Sequence, residues 1–181
     1  SALEIKMPTF TRHRQTATRL ARAIAEEMDL PETSIEAIRV AGPILDLGYI
    51  SVPAELLGKL AFLTGIEYEI IKTHVRIGYD LLKDVEFPWP VAQILLQHHE
   101  KIDGSGYPDG ISGDNILIES RIFAVANDFE EIACDQPYRP SLGIEKAIEE
   151  IEKNRGILYD SEVVDACLKL FRQKGFTLCE A

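Results

Sequence analysis

Long apolar runs are missing from this sequence, and their absence argues against one large class of proteins. No stretch approaches the roughly 18–20 consecutive apolar residues that a membrane-spanning helix needs. The first residues, SALEIKMPTFTRHRQ, also lack the apolar segment of a secretory signal peptide. We therefore expect a chain that does not insert into a membrane and that works in the cytoplasm.

Cysteine is scarce and positive charge is in deficit. The three cysteines, Cys134, Cys167 and Cys179, form no CxxC pair, so unpaired thiols in a reducing compartment are the simplest interpretation. Lys and Arg number 19 against 30 Asp and Glu, which gives a net charge of −11. Such a chain repels polyphosphates. This argues against a nucleic-acid polymer as partner, but not against a small phosphate ligand held by a metal ion or a few local cations.

Alternation of apolar and polar residues at period two is also missing, so we expect little or no sheet. Apolar stripes at helical spacing predict an all-α fold with a single compact helical bundle, because 181 residues suit one core. We assign residues 10–175 to this domain, 1–9 to an N-terminal edge or linker, and 176–181 to a C-terminal tail. The predicted helices cover residues 10–28, 32–46 (kinked at Gly42-Pro43), 64–81, 90–99, 118–134, 142–154 and 161–173.

One helix carries a start signal of its own. Thr64 and Glu67 have the spacing of a capping box, in which each side chain binds the backbone of the other. The stripe that follows predicts a buried face composed of Ile66, Ile70, His74, Ile77 and Leu81.

The four histidines, His13, His74, His98 and His99, lie on or beside apolar stripes. Burying several imidazoles costs free energy unless each finds a partner, and a shared metal ion is one such partner. Three of them, His74, His98 and His99, combined with Asp46 give three nitrogens and one carboxylate oxygen. That set suits iron, manganese or zinc better than calcium or magnesium. The alternatives are satisfied core histidines and an Asp46 that faces solvent at a helix end.

The glycine-rich stretch 103–115 predicts an ordered or mobile loop. Gly104 and Gly106 allow positive φ and a close approach of the backbone to a ligand. Tyr107 has a ring that can stack on a purine and a hydroxyl that can bind phosphate. The alternative is a tight surface turn.

Residues 98–110 read HHEKIDGSGYPDG, which resembles the HHExxDGSGYPDG loop of the HD-GYP family almost residue for residue. Four further segments resemble motifs of that family: His13–Ala21 (first histidine helix), Ile71–His74 (MKxH), Arg121–Ala126 (RIxAVA) and Asp135–Pro140 (DRPYRP). The resemblance implies an HD-type helical bundle with an ordered GYP loop. It also implies a bacterial signalling role, hydrolysis of cyclic di-GMP, and two or three metal ions, often iron or manganese.

The sequence departs from the family pattern at five places. Leu45 replaces the histidine of the namesake His-Asp pair, and Tyr49 replaces a lysine. Asn127 replaces a metal-binding aspartate, and Gln136 replaces the first arginine of DRPYRP. Thr9 stands where members with three metals have a glutamate.

The resemblance implies two metal positions that share Asp46. At the second position His13 and Asp46 remain good ligands, whereas Asn127 offers only a weak amide oxygen; a one-residue bulge that brings in Asp128 is an alternative. We therefore predict one complete metal position and one damaged one. The complete position has four ligands: Asp46, His74, His98 and His99.

The family also implies contacts with the ligand and with partner proteins. The predicted ligand-binding residues are Gly104, Gly106, Tyr107, Pro108 and Arg139. The loop of these domains is in addition proposed to dock diguanylate cyclase domains. We expect a degenerate, regulatory member with weak or no hydrolysis; the alternative is an active phosphodiesterase with an altered centre. A phosphohydrolase for another substrate, or a metal or redox sensor, stays open.

Overall fold

The computed structural model describes residues 8–57, 59, 63–136 and 139–178, with side chains from residue 12 onward. Within these residues there are helices and isolated bridges but no strands, which confirms the predicted all-α fold. The α-helices are α1 (Pro8–Glu27), α2 (Glu32–Ala41), α3 (Ala54–Leu57), α4 (Gly65–Lys72), α5 (His74–Leu82), α6 (Val91–Gln97), α7 (Ile118–Ala133), α8 (Ile144–Lys153) and α9 (Ser161–Gln173). Short 3₁₀ helices cover Gly42–Ile44, Leu47–Ser51 and Gly113–Asn115. None of the described helices is both long and apolar enough to cross a membrane.

The core lies between α1 and α7, which pack along each other. The apolar side of α1 is buried, with Ala17, Leu20, Ala21 and Ile24 at most 2% exposed. Because α1 carries His13 and α7 carries Asn127, this pairing brings the first histidine helix to the RIxAVA helix.

The chain leaves the α-helical path at Gly42-Pro43, where the kink was predicted, but the helix does not continue to Asp46 as expected. Helix α2 ends at Ala41, and Gly42-Pro43 opens a 3₁₀ turn in place of a further α-helical turn. A second 3₁₀ helix starts immediately after Asp46. Asp46 therefore lies between two 3₁₀ helices and not within α2, and its carboxylate binds Arg14 of α1 and lies near His74 of α5.

The capping box at Thr64 and Glu67 is present. Of the predicted buried face, His74 is buried, but three of the apolar members are exposed. Ile66, Ile70 and Leu81 are 77%, 39% and 51% exposed. The helix is interrupted at Thr73 and restarts at His74. A break shifts the helical phase, so α5 buries His74, Val75 and Gly78 instead of continuing the α4 stripe.

The cysteines and the C-terminal segment differ from what the sequence predicts. Cys134 takes part in a disulfide bond, which corrects the expectation of unpaired thiols, while Cys167 is a free, buried thiol. Sequence spacing cannot show which distant positions come within the short Cα separation that a disulfide requires. Cys179 lies outside the described residues. Leu178, within the predicted tail, is buried in the core.

Candidate metal centre

Three histidines converge at one point of the molecule. His74 begins α5, and His98 and His99 directly follow α6. One ring nitrogen from each lies within 4.8 Å of the others. These packed helices, α5 and α6, therefore bring together the three imidazoles that the sequence selects.

The rings of His74 and His98 are oriented by backbone carbonyls. Nδ1 of His74 donates to the Ile71 carbonyl at 2.8 Å, and Nδ1 of His98 donates to the Leu95 carbonyl at 2.8 Å. A carbonyl accepts only, so each Nδ1 carries the proton and each Nε2 keeps a lone pair. This is the outer hydrogen bond that commonly fixes a metal-binding histidine.

Asp46 lies beside these rings and is 8% exposed, so the alternative of a solvent-facing carboxylate is wrong. Its Oδ1 lies 3.8 Å from His74 Nε2. Burial alone would raise the pKa of Asp46, but the Arg14 guanidinium and the neighbouring imidazoles hold that pKa below its ordinary value. The carboxylate is therefore charged at neutral pH.

Burial also keeps the histidines neutral. It lowers the pKa of His98 to about 3, with the neighbouring His74 adding to the effect. Burial likewise lowers the pKa of His74, against the opposing pull of Asp46, and lowers that of His99 well below its ordinary value. Neutral imidazole is the form that binds a metal.

The donor set at this first position fits a divalent ion. Asp46 Oδ1, His74 Nε2 and His98 Nε2 are buried and have no hydrogen-bond partner. Unpaired buried polar atoms are rare because each costs free energy. A cation held between three nitrogens and one oxygen would satisfy them, and iron, manganese or zinc suits such a set.

A glycine allows this convergence. Gly48, in the 3₁₀ helix after Asp46, lies so close to α5 that an added Cβ would meet the His74 carbonyl oxygen at 1.9 Å. Only a residue without a side chain permits that approach. The glycine of the namesake motif thus brings the Asp46 segment and the His74 helix together.

The second position has a different occupant, and sequence reasoning missed it. Arg14 donates from Nε and Nη2 to Asp46 Oδ2 at 2.9 and 2.6 Å, and from Nη1 to Asn127 Oδ1 at 2.8 Å. Leu45, at the position of the missing histidine, is fully buried in the apolar core. The residues present do not fit a second divalent ion there. The available signal was an arginine directly beside His13 on the first histidine helix.

His13 itself is held by α7. Its Nδ1 donates to Glu130 Oε1 at 2.6 Å, while its Nε2 is buried without a partner. The alternative that brings in Asp128 is wrong, because α7 is a continuous α-helix. The carboxylate of Asp128 instead accepts from Lys101 Nζ at 2.5 Å and from the Tyr159 hydroxyl at 2.6 Å.

The GYP loop is ordered around Glu100. This carboxylate is 1% exposed, and its Oε1 accepts from the backbone N–H groups of Asp109 and Gly110 at 2.8 and 3.2 Å. Gly104 has a φ of 82°, as the sequence predicts. At Gly106 an added Cβ would lie 2.5 Å from Glu100 Cα. The loop is therefore folded back onto the residues that follow His99.

The loop also reaches the histidines. The Tyr107 ring stacks on His99 with centroids 4.7 Å apart and 18° between the planes, and Pro108 follows across a cis peptide bond. Lys72 Nζ lies 5.5 Å from the centroid of the Tyr107 ring. An aromatic ring and a cation thus lie next to the histidine cluster.

Two positions to which the resemblance assigns phosphate contacts have other partners here. Tyr49 packs on the His74 ring with centroids 4.2 Å apart; burial raises its pKa, so it remains neutral. Arg139 donates to the carbonyls of Glu131 and Pro140. The first of these carbonyls, that of Glu131, lies about one helical turn after Asn127. The role of Arg139 in ligand binding stays a prediction. Of Thr9, the side chain lies outside the described residues.

Comparison with known proteins places the centre in a family context. Residues 1–163 match the family described as HD domain. The chain is 38% identical over 181 residues to the cyclic di-GMP phosphodiesterase response regulator RpfG of Xanthomonas campestris pv. campestris, covering 87% of this chain and 48% of that protein. It is 40% identical over 164 residues to a cyclic di-GMP phosphodiesterase of Thermotoga maritima, covering 90% of this chain and 45% of that protein. The chain thus spans about half the length of these relatives.

Solved structures share the fold at lower identity. Bd1817, a HDG"Y"P protein from Bdellovibrio bacteriovorus, superposes with a TM-score of 0.74 at 17% identity, over 91% of this chain and 53% of that one. The HD domain of the L. monocytogenes phosphodiesterase PgpH, in complex with cyclic-di-AMP, superposes with a TM-score of 0.65 at 18% identity, over 93% and 94%. At these identities the likeness concerns the fold.

Proposed function

Because this chain belongs to the HD domain family, and within it to the HD-GYP branch, we propose that it is a signalling module that binds a cyclic dinucleotide of the cyclic di-GMP class at a centre with one metal ion, with weak or no hydrolysis. The observation that carries the proposal is an asymmetry within the centre. The unpartnered atoms of Asp46, His74 and His98 support one ion, whereas the second position holds Arg14.

Each part of the centre has a physical role in this proposal. The three histidines and Asp46 would hold an iron, manganese or zinc ion, which when bound supplies positive charge to a phosphate oxygen and acidifies water. Tyr107 and Lys72, beside His99, offer a ring face and a cation to a base or phosphate. The ordered loop keeps Tyr107 in place before any ligand arrives, which reduces the entropy lost on binding.

Loss of hydrolysis follows from what the second position lacks. Catalysis by two ions stabilises both the attacking and the leaving oxygen of the phosphate, and loss of one such electrostatic contact costs roughly 10²–10³ in rate. Tyr49 adds no positive charge, since a neutral ring packs on His74 where the family has lysine. Binding needs fewer of these groups than hydrolysis does.

The test is a paired measurement of metal content, ligand binding and turnover. We expect the purified chain to hold one manganese or iron ion, to bind cyclic di-GMP by isothermal titration calorimetry, and to release little or no linear product. His74→Ala should lose the ion. His13→Ala is the matched control and should keep it, because His13 binds Glu130 and not the first position.

The second candidate is an active cyclic di-GMP phosphodiesterase with an altered centre. It is favoured by the three clustered histidines of the first position and by a cation, Arg14, at the second. Turnover of about one per minute or faster would decide for this alternative. That threshold is well below the 1–10³ per second common among enzymes. An ion-free chain whose properties are unchanged by His74→Ala would contradict both candidates.

A further inference from the structure

Arg14 lies between the two side chains that would share a second ion. Its guanidinium binds Asp46 Oδ2 through two nitrogens and Asn127 Oδ1 through the third. The side chains of Arg14 and Asp46 are 18% and 11% exposed, so this contact is shielded from solvent. We propose that the guanidinium takes the place of the second ion, so that the centre consists of one divalent ion and one fixed organic cation. The inference rests on the proposed function for the first ion.

Asp46 divides its two oxygens as a bridging carboxylate does. Oδ2 accepts from Arg14, whereas Oδ1 has no hydrogen-bond partner and lies 3.8 Å from His74 Nε2. One oxygen thus serves the guanidinium and the other is left for the ion at the histidines. The same aspartate can therefore connect a metal ion to an organic cation.

The single charge of Arg14 suits a position where the second carboxylate is replaced by the neutral Asn127. A divalent ion between two carboxylates is balanced, and so is a guanidinium between one carboxylate, Asp46, and one neutral amide, Asn127. Arginine stays protonated at any pH that a protein tolerates. The guanidinium and a divalent ion would repel each other at this position, so Arg14 excludes the second ion as long as it stays there.

A guanidinium replaces only part of what an ion does. Arg14 has five N–H donors, of which three are used by Asp46 and Asn127. The two that remain can bind a phosphate oxygen, which is a preferred acceptor of arginine. A guanidinium has no open coordination position, so it does not acidify a bound water as a metal does. This cation therefore supports phosphate binding and leaves hydrolysis weak.

The experiment compares metal stoichiometry in the wild type, Asn127→Asp, Arg14→Gln and the double variant Arg14→Gln/Asn127→Asp. Each is loaded with Mn²⁺, desalted and measured by elemental analysis, with circular dichroism to confirm folding. We expect one ion per chain in the wild type and in both single variants. The double variant should hold two, because His13, Asp46 and the new carboxylate at position 127 then form a three-ligand site. Arg22→Gln is the control, since Arg22 lies on the same helix and pairs with exposed Glu26.

Two ions in the wild type or in Asn127→Asp, or only one in a folded double variant, would overturn the inference. A wild type without any ion would instead overturn the proposed function, and the inference would fall with it. A second readout concerns phosphate: Arg14→Gln should weaken binding of cyclic di-GMP by about tenfold or more relative to Arg22→Gln. Equal affinity of these two variants would show that Arg14 does not contact the phosphate.

Discussion

At the scale of single residues, the GYP loop depends on Glu100. Its buried Oε1 accepts two loop N–H groups, while its Oε2 is buried without a hydrogen-bond partner. Burial raises the pKa of Glu100 above 4.5, and the two N–H bonds oppose that rise. Burial therefore disfavours the ionised carboxylate, whereas the hydrogen bonds that order the loop favour it.

We expect Glu100→Ala to lower the free energy of unfolding by about 1–3 kcal/mol, because the N–H groups of Asp109 and Gly110 lose their acceptor. Glu100→Gln is the control, since its amide oxygen still accepts. Urea unfolding measures the change in stability, and limited proteolysis measures how well the loop stays in place. If Glu100→Ala leaves proteolysis of the loop unchanged, the carboxylate does not hold the loop in place.

A comparison of the wild type with Glu100→Gln tests the raised pKa of Glu100. A raised pKa means that the folded state binds the proton more tightly than the unfolded one. The wild type should therefore gain stability relative to Glu100→Gln as the pH is lowered through the raised pKa toward 4.5, with no further gain below. Urea unfolding at several pH values measures this difference, and an opposite slope would contradict it.

At the scale of elements, the centre depends on contact between the 3₁₀ helix Leu47–Ser51 and α5. These two elements pack directly, and Gly48 lies so near α5 that an added Cβ would meet the His74 carbonyl. The contact sets the distance between the Asp46 carboxylate and His74. A side chain at position 48 would push the two elements apart.

Gly48→Ala should cost about 1–3 kcal/mol of stability or more, because backbone and not a flexible side chain blocks the new methyl group. It should also weaken metal binding by moving Asp46 from His74. Gly65→Ala is the control: nothing lies within 4 Å of its added Cβ, and alanine favours a helix. Thermal unfolding and metal titration of both variants provide the comparison; equal effects would contradict the role given to Gly48.

The break between α4 and α5 shows why one element was mispredicted. Apolar residues continue at helical spacing through Thr73, so the sequence predicts one helix and one buried face. The structure buries His74 and exposes Ile66, because each helix follows its own packing partner. Periodicity locates helices, but a change of helical phase arises from tertiary contacts.

At the scale of the whole molecule, an ion at the first position would join three distant segments of the chain. Asp46 follows α2, His74 begins α5, and His98 and His99 follow α6. A ligand that binds only the folded state stabilises it by RT ln(1 + [L]/Kd), so the stabilisation grows with the logarithm of the ligand concentration above Kd. The histidine cluster is thus also a link between separate parts of the bundle.

Mn²⁺ at 100 times its Kd should stabilise the wild type by about 2.7 kcal/mol and raise its Tm by roughly 5–10 °C. Thermal unfolding with Mn²⁺ and with EDTA measures the shift. His74→Ala should show almost none of it, whereas His13→Ala should keep most of it. Equal shifts in the two variants would place the ion away from the three histidines.

From the sequence it could be predicted that the chain is helical, that its histidines are candidate metal ligands, and that residues 98–110 form an ordered loop of the HD-GYP type. These conclusions rest on local spacing and on the identity of contiguous residues, both of which are visible in a sequence. The sequence also shows Leu45 and Asn127 at two positions where the resemblance implies metal ligands.

The occupant of the second position follows from long-range contacts that no local pattern reveals. Arg14 is separated by 32 residues from Asp46 and by 113 from Asn127, and it reaches both because α1 packs on α7 and beside the kink. The exposure of the α4 stripe and the disulfide at Cys134 were decided in the same way. Such contacts join positions that are remote along the chain, and their energies depend on packing and charge in three dimensions rather than on any local pattern.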